Sequence, residues 1–304
     1  MSDHSLTRYA WISIGAAIVT IALKVWAWHL TGSVGLLSDA AESVVNLVGG
    51  AMALTMLMIA QRPADEDHAF GHGKAEYFSS GVEGCLILVA AGSIAFAAYG
   101  RLIEPKPIEQ VGFGLSVCLA ASLVNLAVAL LLRHVGKKRN SITLEANSQH
   151  LLTDVWTSVG VLGGVGAVSL TGWERLDPLV ALLVAANIVW AGLGIVRRSV
   201  AGLMDAALPK EDLQAIKEVL AVHEGKELQF HALWTRQAGA RKFVSFHVLV
   251  PGDWTVQRGH ELLEQIESEI AGILPGASVF THLESIDDPA AWEDATIDRA
   301  PRCK

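Results

Sequence analysis

Several side chains able to hold a metal ion lie inside stretches that are otherwise apolar. Glu42 and Asn46 stand four residues apart in the run Val34–Ala60, and His150 and Asp154 stand four apart in Ile142–Leu170. Residues at i and i+4 share one helix face, so each pair aims its donor atoms the same way. A carboxylate at mid-bilayer costs about 3 kcal/mol or more, so the two faces are expected to meet around something positive. Oxygens from Glu42, Asn46 and Asp154, with one imidazole from His150, suit a four-coordinate divalent metal. Two carboxylates would offset its 2+ charge. Hydrogen bonding between helices is the plainer reading, and it explains one such residue more easily than two spaced pairs. Asp39, one turn before Glu42, fits a helix-bonding or mouth-lining role better than a ligand's.

A second group, Asp65, His68 and His72, follows spacings of three and four in the segment after Ala60, so a helical turn would gather it. A solvated loop is the rival reading, and the glycines flanking His72 favour a tight turn. A third group lies beyond Leu208. Alternation along Lys242–Val250 puts Val244, Phe246, Val248 and Val250 on one face and His247 on the other. The same count puts Phe230, Ala232 and Trp234 opposite His231, while His282 and Glu284 share a face. With His260 this makes four imidazoles and a carboxylate, a zinc-type site for one or two ions. The run His260-Glu261-Leu262-Leu263-Glu264 begins like a metalloprotease helix but has Glu264 in place of the second histidine, so it carries no enzyme reading. No nucleophile or water-activating motif appears elsewhere, and the chain is expected not to be an enzyme.

These groups need elements to position them. A mean hydropathy of +0.40 over 304 residues is too high for an ordinary soluble protein. Charged residues form 18% of the chain and gather in a few loops and beyond Leu208. A net charge of −8 argues against nucleic acid as a partner. Cys85, Cys118 and Cys303 are scattered, with no Cys-x-x-Cys pair, so no disulfide framework is expected. Six stretches reach the roughly 20 apolar residues that a bilayer requires: Tyr9–Leu30, Val34–Ala60, Tyr77–Tyr99, Phe113–Leu132, Ile142–Leu170 and Pro178–Leu203. The first is too long for a signal-peptide core and reads as a retained span. Basic residues favour one set of connections (Arg8, Arg62, Lys74, Arg133, Lys137, Lys138, Arg139, Arg197, Arg198) over the other (Arg101, Lys106, Arg175). Both termini are therefore expected in the cytoplasm. From Leu208 the pattern is helix–strand–strand–helix–strand: a helix opening at Pro209–Asp212, strands near Leu228–Thr235 and Lys242–Val250, a helix over Thr255–Ile273, and a strand near Ser278–Glu284. The expected fold is thus an α-helical polytopic membrane domain of six transmembrane helices over 1–207, followed by a small α+β cytoplasmic domain over 208–304.

The runs Gly32–Ala40 leading to Glu42, Phe70-Gly71-His72-Gly73-Lys74-Ala75-Glu76, and His150-Leu151-Leu152-Thr153-Asp154 resemble the cation diffusion facilitator family. The resemblance covers nearly the whole chain. It implies six spans, a ferredoxin-like cytoplasmic domain, a homodimer, and exchange of Zn, Cd, Fe, Co or Mn ions for protons, with zinc first. Carried over by motif, it implies a transport site of Glu42, Asn46, His150 and Asp154, and a loop site of Asp65, His68 and His72. The cytoplasmic site would be His231, His247, His260, His282 and Glu284. It also implies an interdomain salt bridge between Lys74 and Asp205. One departure stands out. Zinc-type relatives usually carry Asp or His at the Glu42 position and Asp at the Asn46 position, so the preferred metal stays open here.

The expected function is efflux of a divalent transition metal from the cytoplasm by metal/proton antiport, in a bacterial inner membrane. Acidic Asp65, Glu66 and Asp67 would raise the local cation concentration, and protons would compete with metal for His150. A passive metal channel with the same ligands and a membrane-anchored metal sensor relying on the cytoplasmic cluster are the rival readings.

Overall fold

The computed structural model describes the backbone of residues 4–31, 34–104, 113–173 and 175–292. It describes their side chains except those of 4–5, 27–28, 30–31, 34–42, 45–46, 113–115, 118, 161–169 and 177. The chain divides into two compact units, Met1–Leu203 and Met204–Lys304.

The first unit is a bundle of six long helices: α1 (His4–Thr31), α2 (Val34–Ala60), α3 (Ala75–Ile103), α4 (Phe113–Arg139), α5 (Ile142–Thr171) and α6 (Leu176–Leu203). Among the described residues, four stretches are long and apolar enough to cross a membrane. They are Leu6–Trp26, Ala75–Ile103, Leu119–Arg139 and Pro178–Leu203, in α1, α3, α4 and α6. The described part of α2 adds a shorter apolar stretch, Leu47–Ala60.

Burial in this unit runs opposite to that of a soluble protein. Phe96 and Trp190 are more than 80% exposed, while Ser79, Ser80, Asn125, Asn147, Ser148 and His150 are buried. That inversion is what a lipid surround favours, with apolar side chains outward and polar ones turned inward to find partners. Ser13 donates to Asn147 Oδ1 at 3.2 Å, and Ser148 donates to the Ala129 carbonyl at 2.9 Å. At the start of α3, Glu76 accepts from the hydroxyl of Ser141, just before α5, and its carbonyl accepts from Thr143 Oγ1 of α5 at 3.2 Å. Small residues let α3 and α6 close on each other. A Cβ added to Gly202 would fall 2.3 Å from the Tyr77 ring, and one at Gly84 would fall 2.8 Å from Val196.

The second unit contains α7 (Lys210–His223), β1 (Gln229–Ala238), β2 (Arg241–Val250), α8 (Val256–Ile273), β3 (Ala277–Ser285) and a 3₁₀ turn at Pro289–Trp292. Pro209 caps α7 with its fixed φ, and Glu211 and Asp212 occupy the first turn, where the helix dipole favours acids. Thr255 caps α8 by accepting from the Arg258 N–H at 3.2 Å. The sheet has the order β1-β2-β3, with β1 antiparallel and β3 parallel to the central β2. One face carries Val244, Phe246, Val248 and Val250 into a core with Ile216, Leu220, Ile266 and Ile270 of the two helices.

The expected alternation along β1 fails after His231. The register slips by one residue between His231 and Trp234, and Ala232 has φ 53°. This bulge turns Leu233 toward the core and puts Trp234 on the same face as His231, rather than opposite it. An inserted residue reverses the parity of every side chain after it, so period-2 counting could not follow it.

Candidate metal centres

In the membrane unit, His150 and Asp154 share one face of α5, as their spacing requires, and His150 is buried. Asp154 lines a small polar cavity together with Lys24 of α1, Ser43 of α2, and Asn125 of α4. Asn125 Nδ2 donates to Asp154 Oδ2 at 3.3 Å. The side chains of Asp39, Glu42 and Asn46 lie outside those described. Ser43, the neighbour of Glu42, nevertheless opens onto the same cavity as Asp154.

The segment between α2 and α3 brings Asp65, His68 and His72 together, with one ligand atom from each within 4.8 Å of the others. A helical turn was expected to do this; the chain uses non-helical turns instead. The His68 N–H donates to Asp65 Oδ1 at 2.7 Å, and its carbonyl accepts from the Gly71 N–H at 2.8 Å. Gly71 sits at φ 82°, a region open to glycine. His68 Nδ1 lies 3.2 Å from Asp65 Oδ1, and His72 Nε2 lies 3.3 Å from Oδ2. Desolvation alone would raise the Asp65 carboxyl, but the hydrogen bonds from His68 and the charges of His72 and His68 outweigh it and hold the pKa below the ordinary 3.8. The buried Nδ1 of His72 has no hydrogen-bond partner. Two imidazoles set around one carboxylate are a fitting donor set for a divalent metal.

In the second unit, strand register sets three histidines in one row. His231 pairs with His247 across β1 and β2, and His247 pairs with His282 across β2 and β3. Glu284 joins them: its Oε2 lies 2.9 Å from His231 Nε2 and 3.2 Å from His247 Nδ1, and its Oε1 lies 3.4 Å from His282 Nε2. Ligand atoms of His231, His247 and Glu284 fall within 4.8 Å of one another. Trp234 and Trp292 pack on the rings of His247 and His231 with centroids 5.5 and 6.0 Å away. Burial lowers the His247 pKa, against the pull of Glu284 in the other direction. A neutral imidazole is the form that ligates. His260 is not among these three. It lies exposed on α8, with Nε2 3.9 Å from Glu264 Oε1.

Residues 10–204 match the family model of the cation efflux transmembrane domain, and residues 208–286 match that of the cation efflux protein cytoplasmic domain. The chain belongs to the cation efflux, or cation diffusion facilitator, family. This cation efflux protein is 52% identical over 293 residues to an uncharacterised transporter of Synechocystis sp., covering 96% of this chain and 94% of the relative. It is 30% identical over 277 residues to the cation-efflux pump FieF of Klebsiella pneumoniae, covering 91% and 92%. The metal-bound C-terminal domain of the CzcD transporter from Thermotoga maritima aligns with 27% of this chain and 99% of its own, at 21% identity and a TM-score of 0.24. Family membership makes the protein an integral membrane transporter for efflux of metal cations.

Two polar residues of this cation efflux protein's cavity escaped the sequence reading. Asn125 and Lys24 are a lone amide and a lone amine in apolar spans, the same signal that singled out Glu42 and Asp154. Neither has an i+4 polar companion on its own helix, and spacing was the filter. Of the residues that the family resemblance pairs, Lys74 donates to the Leu203 carbonyl at 3.3 Å, and Asp205 pairs with Arg236 at 3.2 Å.

Proposed function

We propose that this chain exports a divalent transition-metal ion, zinc first, from the cytoplasm in exchange for protons. The observation that carries the reading is Asp154, a carboxylate of α5 opening onto a polar cavity in an otherwise apolar bundle, one turn from buried His150. Glu42 and Asn46 of α2 complete the proposed ligand set, since α2 packs against α5. Soft-to-borderline ions such as Zn, Fe, Co or Cd suit a mixed imidazole and carboxylate set, and Mn suits the oxygens. Protons arriving from outside compete for His150 and a carboxylate, and release the ion there; their return to the cytoplasm drives the cycle.

The protein works in this reading as a homodimer in a bacterial inner membrane, with both termini cytoplasmic. Asp65, His68 and His72 take up metal at the cytoplasmic loop. His231, His247, His282 and Glu284 bind regulatory metal in the soluble domain.

Proteoliposomes holding the full chain test this. Zinc flux should follow an imposed pH gradient and vanish in Asp154→Ala. Flux independent of the gradient would instead favour a passive channel. Normal flux in Asp154→Ala would remove the transport site from this helix.

A further inference from the structure

The proposed ligands leave one charged group of the membrane cavity unexplained. Lys24 of α1 is 7% exposed, and its Nζ donates to Ser43 Oγ at 2.7 Å. It lines the same cavity as Asp154, Asn125 and Thr157. A lysine ammonium in a bilayer interior is costly, and such groups persist where they face carboxylates or a function. An ammonium offers three donors and no acceptor, so it cannot ligate a metal while charged. Its place in the cavity that Asp154 lines is therefore the reverse of what a simple cation cage needs.

We infer that Lys24 is the internal counter-cation of the transport site, which the dication must displace on binding and which returns to the carboxylates as the ion leaves. The inference rests on the proposed transport site containing Glu42 and Asp154. Charge arithmetic supports it. Two carboxylates alone carry −2, and one ammonium halves that to −1 in a poorly polarisable interior, whereas a dication without the ammonium brings the site to neutral. Adding a dication with the ammonium in place gives +1, with two cations in one small cavity. Lys24 holds the Ser43 hydroxyl, and its flexible four-carbon stem and compact charge let it swing away from the cavity and back. The step moves charge and makes or breaks no covalent bond. The consequence is functional. The tethered cation competes with metal, weakens its binding, and hastens its release.

Zinc binding to the full-length protein carrying His72→Ala and Glu284→Ala, which disable the loop and cytoplasmic clusters, reads this out. Asp154→Ala in that background should abolish the remaining site; if binding is unchanged, the transport-site reading itself fails. With that site established, Lys24→Met should bind zinc about 10-fold tighter, because a nearby positive charge has gone. In proteoliposomes the same variant should show a lower half-saturating zinc concentration and a lower maximal rate. Lys24→Gln, which keeps a donor for Ser43, gives the same readout if the methionine variant misfolds. Lys24→Arg, which keeps the charge, should not tighten binding. Unchanged or weaker zinc affinity in a folded Lys24→Met or Lys24→Gln protein would overturn the inference.

Discussion

His231 and His247 lie directly across the antiparallel β1–β2 pair, with ring centroids 5.0 Å apart, and both reach the same oxygen of Glu284. Three segments of the sheet thus converge on one carboxylate. The residues come from Gln229–Ala238, Arg241–Val250 and Ala277–Ser285, so only a folded sheet assembles them. Because β3 runs parallel to β2, His282 enters the row beside His247, and Glu284 falls two residues further along the same face.

Glu284 is the hub of this cluster, so Glu284→Ala should weaken zinc binding to the cytoplasmic cluster by at least about 10-fold. Zinc titration of the full-length protein carrying His72→Ala and Asp154→Ala isolates that cluster. His260→Ala should change the same titration less, since that ring stands apart beside Glu264.

The bulge at Ala232 holds Trp234 and His231 on one face, and it requires a left-handed backbone that alanine adopts at a cost of about 1 kcal/mol. Ala232→Gly should therefore raise the denaturation midpoint, offset partly by the entropy of the glycine chain when unfolded. Ala232→Val should lower it, and should weaken zinc binding with it. Thermal melts of both variants, with and without zinc, check the order.

Asn125 holds one oxygen of Asp154 in place. Replacing it with leucine removes that hydrogen bond, and zinc transport should fall by about 10- to 100-fold. Asn125→Gln, which keeps an amide at a longer reach, should fall less. Initial rates in proteoliposomes distinguish the two.

His223 at the end of α7 meets Glu269 of α8 with Nε2 and Oε2 2.7 Å apart. Hydrogen bonds from His223 and Gln265 lower the Glu269 pKa below the ordinary 4.5. A carboxyl whose folded pKa is depressed stabilises the fold above its unfolded value, and that gain disappears as pH falls through the folded value. Glu269→Gln should therefore be less stable than the native protein at neutral pH, and the gap should close well below pH 4.5. Hydrogen exchange of α7 and α8 amides across that range measures it. A gap that persists in acid would mean that packing, not charge, links the helices.

Much of this protein can be read along the chain because its solvent is lipid. Long apolar runs mark helices by length alone, and a carboxylate or imidazole inside one is costly enough to signal a purpose. Glu42, Asn46, His150 and Asp154 stood out for that reason, and Val244, Phe246, Val248 and Val250 marked one face of a strand by their spacing of two. Tertiary structure decided the rest. A one-residue bulge moved Trp234 to the histidine face, because parity is a property of pairing and not of spacing. Non-helical turns gathered Asp65, His68 and His72 by backbone hydrogen bonds that no periodicity encodes. Lys24 and Asn125 carry the same polar signal as the ligands, yet neither has a polar residue four positions further along its helix. Only the packing of α1 and α4 against their neighbours brings them to Asp154, since a cavity shared by four helices exists in no single segment.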